Sequence, residues 1–285
     1  MGHLRDRMTE DLTLAGFSPV TARIYLHYCK YFAKHFMRSP AEMGETEIRS
    51  FLLHLLIERD LSHESYRQCY AALKFLYVIT LKRPFEVESL PRHKKPHLLP
   101  DILSGSEIVS LLSAFTHPKY RTVAMTLYGA GLRISEACRL CLNDIDSKRM
   151  LLHVRRGKGK RDRYVMLSKK LLKALREWWK IARPTQFLFE GKRGLGPMSD
   201  ASFRSALRRA AHKAGIRKRV TSHLLRHSFA THLMEIGTDV ATIQFLLGHR
   251  HIEATARYTH VSTRRIQHVM SPLDILETPK GIVLG

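Results

Sequence analysis

Residues 223–227 read His-Leu-Leu-Arg-His, and the rest of the chain is best interpreted outward from them. His223 and Arg226 are three positions apart, so on a helix both project from one face. Upstream, Gly131-Leu132-Arg133-Ile134-Ser135-Glu136 sets an arginine just after a glycine break, where a new helix is predicted to begin. Downstream, Leu246-Leu247-Gly248-His249 closes a helix on a glycine, and Ala256-Arg257-Tyr258-Thr259-His260 follows. Between these, Leu152 and Val154 alternate with polar neighbours, and Tyr164-Val165-Met166-Leu167 returns after the glycine-rich Arg156-Gly157-Lys158-Gly159-Lys160. Met150–Leu167 therefore reads as a β-hairpin. Helices are predicted around 168–181, 199–213, 222–236 and 239–247, with Ser104-x-x-Glu107 as a capping box opening an earlier one.

The stretch from Pro91 to Pro100, PRHKKPHLLP, is a poor helix and a plausible linker. Before it the chain reads as about four helices. Ser18-Pro19 is a helix start, with proline at the first helical position. Ile48, Phe51, Leu52, Leu55 and Leu56 form one apolar stripe, and Tyr66, Cys69, Tyr70, Leu73, Leu76 and Tyr77 form another after a Ser62 cap. The expected organisation is a helical domain over 1–90, a linker over 91–100, a mixed domain over 101–270 and a tail over 271–285. In class the fold is mainly α, with a small β-hairpin or sheet.

Charge narrows the function. The 285 residues carry 48 Lys+Arg against 25 Asp+Glu, a formal charge of +23, with 44% hydrophobic residues and only four cysteines. Residues 1–95 hold 15 basic and 11 acidic side chains; residues 96–285 hold 33 and 14. So basic a chain suits a polyanion, and nucleic acid leads because binding releases its condensed counterions. No run approaches the roughly 18 apolar residues of a membrane span, the first eleven residues lack a secretory h-region, and four cysteines make no disulfide framework. A cytoplasmic, nucleoid-associated protein with no membrane role is expected. Two basic clusters stand out: 148–163, with eight Lys/Arg and one acid, and 201–222, with seven Lys/Arg and none. Arg155, Arg156, Lys160, Arg161, Arg204, Arg208, Arg209, Lys213, Arg217, Lys218 and Arg219 are the candidate DNA contacts.

Two arginines, histidines, a lysine and a tyrosine, with no carboxylate cluster, match the needs of phosphoryl transfer at a phosphodiester. Planar guanidinium forks complement the oxygens on which charge grows. A tyrosine hydroxyl can attack if a base or a strongly positive surrounding offsets its ordinary pKa near ~10, and a lysine on a hairpin can protonate the departing sugar oxygen. From the residues alone, Lys160 and Arg161 compete with Lys158, and Tyr128 and Tyr164 compete with Tyr258.

Nearly the whole chain resembles the tyrosine recombinases of the phage-integrase type, most closely the Xer-like and integron-type members. The resemblance rests on Arg133, Lys158, His223, Arg226, His249 and Tyr258, all six positions of the family's catalytic pattern in order. It implies a SAM-like helical core-binding domain followed by an α+β catalytic domain, and site-specific breakage and rejoining of double-stranded DNA. Tyr258 would attack the scissile phosphate, leaving a 3′-phosphotyrosine link; Arg133 and Arg226 would clamp the non-bridging oxygens. His223 would take up the tyrosine proton, Lys158 would protonate the leaving 5′-oxygen and His249 would hydrogen-bond the phosphate, with Glu136 in support. The resemblance further implies no metal and no cofactor, a homotetramer on paired recombination sites, and sometimes an accessory protein or partner recombinase. In the family the tail often docks on a neighbouring protomer; here Leu273, Ile275 and Leu276 are the candidate anchor, with a frayed terminus as the alternative.

Other features have duller readings. Cys138 and Cys141 form a lone C-x-x-C, within a predicted helix and without a second ligand pair. Asp144 and Asp146 resemble part of a nuclease carboxylate set but lack a third partner. Trp178-Trp179 reads as core plus edge.

Overall fold

The computed structural model describes residues 2–85, 101–155, 162–191, 194, 196–248 and 269–276. The chain divides into two compact units, Met1–Leu98 and Leu99–Gly285.

In the first unit, α1 (Gly2–Leu14), α2 (Pro19–Phe36), α3 (Glu45–Ile57) and α4 (His63–Phe75) pack as a bundle, and α4 continues into a π-turn at Leu76–Thr80. The helix starts follow the sequence signals. Ser18 Oγ accepts from the Thr21 amide at 3.1 Å with Pro19 in the first turn, and Ser62 Oγ accepts from the Ser65 amide. Both apolar stripes turn inward: Ile48, Phe51, Leu52 and Leu55 meet Cys69, Leu73, Leu76 and Tyr77 around Phe32. The buried Tyr77 hydroxyl donates to the Pro40 carbonyl at 2.9 Å, so the polar end of this core aromatic is satisfied.

The second unit begins with α5 (Gly105–Ala114), opened by the capping box: the Glu107 amide donates to Ser104 Oγ, and the Ser104 amide to Glu107 Oε2. α6 (Pro118–Ala130) is buried from Thr122 to Ala130 and is the axis of the domain, packed against α8 (Lys169–Ala182), α9 (Asp200–Lys213) and α10 (Ser222–Glu235). It ends at Gly131, in the left-handed conformation at φ 64° with Phe229 where a side chain would stand. The short α7 (Ile134–Cys138) follows. The hairpin gains a third strand: β1 (Ile145–Asp146), β2 (Leu151–Val154) and β3 (Arg163–Met166) form an antiparallel sheet in that order, with Leu152 opposite Val165 and Val154 opposite Arg163. α11 (Val240–Leu247) ends on Gly248, also left-handed at φ 60°.

One expectation is corrected locally. Cys141 lies beyond the short α7 rather than on it, bridged to Phe187, because that helix ends at Cys138. The tail segment, over residues 271–276, is seated on its own domain. Leu273 is wholly buried against Gly129, Leu276 packs toward Gly105, and only Ile275, 43% exposed, faces outward. Asp274 caps α8, its carboxylate accepting from Ser168 Oγ and from the Lys169 and Lys170 amides, while Ser271 Oγ donates to the Gly129 carbonyl at 2.7 Å. Residues 277–285 and the linker 91–100 lie outside the described residues. Trp178 is core, its Nε1 donating to the Leu188 carbonyl, and Trp179 is edge, with Arg183 stacked over it at 4.2 Å.

Candidate active site

The site is built around one carboxylate. Arg133 directly precedes α7, so its amide reaches forward to Glu136 Oε2 at 2.8 Å, and its Nη1 meets Glu136 Oε1 at 2.9 Å. Arg226, on the inner face of α10 and 4% exposed, sends Nη1 to the Gly131 carbonyl at 2.6 Å and lies 3.8 Å from Glu136 Oε2. A third arginine, Arg163, forms a bidentate pair with the same carboxylate, Nη1 and Nη2 lying 3.0 and 2.9 Å from its oxygens. Glu136 is thus surrounded by three guanidiniums.

The arginines share a second partner, the end of α11. A helix leaves its last carbonyls without intrahelical donors and concentrates negative dipole there. Here Arg163 Nε donates to the Leu246 carbonyl at 2.9 Å, Arg226 Nη2 to that of Leu247, and Arg133 Nη2 to that of Gly248 at 3.2 Å. Three successive carbonyls accept from three different arginines, immediately before His249.

The electrostatics follow from this packing. Burial pushes the Glu136 carboxyl up, but the hydrogen bonds and charge of Arg163, with those of Arg133, outweigh it and hold the group at about 2. Burial lowers Arg226 to about 9, helped by the charge of Arg133 and opposed by Glu136, and it remains cationic at neutral pH. His223, in the first turn of α10, is lowered by burial and then by Arg226, His227 and Arg133, so its imidazole is neutral at physiological pH.

Of the residues singled out in the sequence, Arg133, His223, Arg226 and Glu136 converge here. Lys158, His249 and Tyr258, and with them Arg156, Lys160 and Arg161, lie outside the described residues. Tyr128, a rival nucleophile, is buried in α6 with its hydroxyl 2.8 Å from His232 Nδ1 and its pKa raised by burial, which removes it as a candidate. Tyr164 stacks on His153 at 4.8 Å. That histidine lies 3.1 Å from Asp162, joining β2 to the residue before β3, and Arg155 Nε meets Asp144 at 2.5 Å, tying the end of β2 to the segment before the sheet. Asp144 also accepts from the Cys141 amide, a structural role that engages both its oxygens. Arg204, Arg208, Arg209, Lys213, Arg217 and Arg219 are exposed. Lys218 is not free in the same way: its Nζ is 2.7 Å from both the Ile102 carbonyl and Glu107 Oε2, binding the start of the domain to the connection between α9 and α10.

Sequence reading missed Arg163 because it was absorbed into a basic cluster. Strand periodicity carried the signal: Arg163 is in phase with the buried Val165, so it faces the interior with it, while Tyr164 faces outward. Asp274 was missed for lack of any local pattern, since it caps a helix more than a hundred residues earlier.

A bundle joined to a mixed domain, with a buried carboxylate aligning guanidinium forks beside a neutral histidine, defines a class of protein that handles a phosphodiester. Comparison with known proteins agrees. Residues 102–265 match the phage integrase family, and residues 4–86 match the N-terminal SAM-like domain of phage integrases. The integrase/recombinase-like protein y4qK of Sinorhizobium fredii is 42% identical over 280 residues, covering 98% of this chain and 91% of that one. The tyrosine recombinase XerA of Thermococcus kodakarensis is 34% identical over 275 residues, covering 95% of each. In fold, the chain is similar to a lambda integrase solved as a dimer bound to a core site, with a TM-score of 0.73 at 18% identity, over 88% of this chain and 95% of that one. The chain belongs to the phage integrase family and is a tyrosine recombinase, an enzyme that cleaves and rejoins DNA at specific sites.

Proposed function

We propose that the Glu136-centred site holds the scissile phosphate of a DNA recombination site between Arg133 and Arg226 while Tyr258 attacks it. The observation that carries this reading is the convergence of Arg133, Arg226 and His223 at one place. Two forks aligned by a shared carboxylate suit the two non-bridging oxygens, whose charge grows in the transition state. A neutral His223 suits the acceptance of the tyrosine proton, because an imidazolium has no lone pair to offer. Lys158, in the sequence between β2 and β3, delivers a proton to the leaving 5′-oxygen, and His249, the residue after Gly248, hydrogen-bonds the phosphate. The 3′-phosphotyrosine link retains the phosphodiester's energy, so rejoining to a new 5′-end uses no ATP and no metal ion. The exposed cations along α9 and after it, Arg204, Arg208, Arg209, Lys213, Arg217 and Arg219, hold the backbone of the duplex.

Exchange between two sites calls for paired duplexes and four protomers, with part of 271–285 as the segment linking neighbours. Because Leu273 and Leu276 are occupied within their own domain, the exposed Ile275 is the part of 271–276 that remains for that link.

The test is a nicked suicide duplex carrying the site from which protein-linked 3′ ends map in genomic DNA. A covalent adduct should form in EDTA and be absent in Tyr258→Phe. An adduct that requires Mg²⁺, or one that persists in Tyr258→Phe, rejects the reading.

A further inference from the structure

We infer that Arg163 is a positioning residue for strand cleavage, setting both the phosphate-facing arginines and the helix end that leads to His249. The inference rests on the recombinase reading of the site and adds to it a residue that touches no substrate.

Arg163 is 8% exposed, so its side chain is closed to DNA, yet it is a full cation facing inward from a strand. Such a group is costly to bury and persists only where paired and hydrogen-bonded. The donors of Arg163 meet two kinds of acceptor. Its Nη1 and Nη2 grip both oxygens of Glu136, the same atoms that receive Arg133 and lie nearest Arg226. A carboxylate held in fork-to-fork geometry cannot rotate freely, so the directions from which the other two arginines approach it are set as well. Its Nε takes the Leu246 carbonyl. The neighbouring carbonyls of Leu247 and Gly248 are held by Arg226 and Arg133, which have a second duty toward phosphate; Arg163 has none. It is therefore the anchor that stays in place when the other two engage DNA.

Gly248 reports how closely the parts fit. A β-carbon there would stand 3.1 Å from Arg163 Nη1 and 3.2 Å from its Cδ and Cζ. The glycine lets the chain turn over the flat guanidinium on its way to His249, and any side chain would press on it. Lysine cannot replace this arrangement, since one ammonium cannot span both carboxylate oxygens and a carbonyl in a plane.

The test compares Arg163→Lys, Arg163→Met and Gly248→Ala with the wild-type chain on a nicked duplex carrying the mapped cleavage site. Site affinity is measured by mobility shift and cleavage by single-turnover adduct formation. The same duplex is also made with Rp or Sp phosphorothioate at the scissile position. A displacement of about 1 Å at a reacting centre costs about 100-fold in rate. Arg163→Lys should therefore cleave about 100-fold more slowly while binding within about 3-fold of wild type, an imbalance that marks lost transition-state contacts. The Rp/Sp rate ratio should also change by at least about 3-fold, because a displaced clamp favours the two non-bridging oxygens differently. Gly248→Ala, which presses on Arg163 and also strains the left-handed backbone at φ 60°, should move the ratio as well, and Arg163→Lys, which leaves that backbone alone, keeps the inference testable if Arg163→Met fails to fold. An unchanged ratio in Arg163→Lys and Gly248→Ala, with all substrates slowed by one factor or none, overturns the inference. Absence of an adduct from the wild-type chain overturns the recombinase reading and this inference with it.

Discussion

Leu273 and Gly129 make the seating of the C-terminal segment measurable. Leu273 is fully buried, and it lies where a side chain on Gly129 would go: a β-carbon there would stand 2.7 Å from Leu273 Cδ2 and 3.2 Å from Leu273 Cβ. Leu273→Ala deletes a core side chain and should cost about 3 kcal/mol, within the usual 2–5 for such a change. Gly129→Ala brings two opposing effects. An alanine in place of glycine within a helix gains about 1 kcal/mol, while overpacking against Leu273 costs about 1–3 kcal/mol. Together the substitutions should compensate, because the alanine methyl occupies space that the leucine has left and the 2.7 Å clash with Cδ2 disappears, leaving only the tight 3.2 Å approach to Cβ. A coupling of about 2 kcal/mol is expected between residues in such contact. For a unit of this size each kcal/mol moves the melting temperature by about 2–4 °C, so the double variant should melt about 4–8 °C above the sum of the single effects. Thermal unfolding of the four proteins followed by circular dichroism reads this directly. Additive shifts would refute the packing of Leu273 on α6.

Three further outcomes follow from the site. Glu136 is held at about 2 against an ordinary 4.5, so its contribution is full above pH 4.5 and is lost as pH falls toward 2; at about 1.4 kcal/mol per pH unit this amounts to about 3 kcal/mol. The stability difference between wild type and Glu136→Gln should therefore shrink across that window, and a difference that stays constant contradicts the pairing. Because His223 is lowered from 6.5, the single-turnover cleavage rate should rise with pH through a midpoint below 6.5, and Glu136→Gln should keep this limb while His223→Gln loses it; a midpoint above 6.5 argues against His223 as the base. Arg208→Ala should make the log–log salt slope of DNA binding shallower by about 0.9, whereas Lys218→Ala should leave the slope alone and cost about 1 kcal/mol of stability, and a slope change in Lys218→Ala would place it among the phosphate contacts.

Much of the architecture was legible because it is written in local chemistry. Ser18-Pro19, the Ser104/Glu107 box and the glycines at 131 and 248 mark helix ends through hydrogen bonds and backbone angles that short sequences determine. Arg133, His223 and Arg226 could be singled out because they fall in order within the family's catalytic pattern, Arg133 just after a glycine helix end and His223 and Arg226 three residues apart on one helix. What escaped was contact between distant segments. Nothing near Lys218 announces Glu107 and Ile102 as its partners, and nothing near Ser168 announces Asp274. A cation in a basic cluster reads as a surface charge until a strand's alternation is followed residue by residue, which is why Arg163 stayed hidden in that cluster.

The arginines that meet the Leu247 and Gly248 carbonyls also bear on what the site admits. Each guanidinium carries five N–H donors and gives two of them to protein acceptors, so an incoming anion meets donors whose directions are already set. On the proposed reading, a phosphodiester whose flanking backbone lies along the exposed arginines of α9 would reach them at a high effective concentration, whereas free phosphate arrives alone and dilute. Selectivity for a strand of DNA over small anions would then be a property of tethering, not of the two arginines themselves.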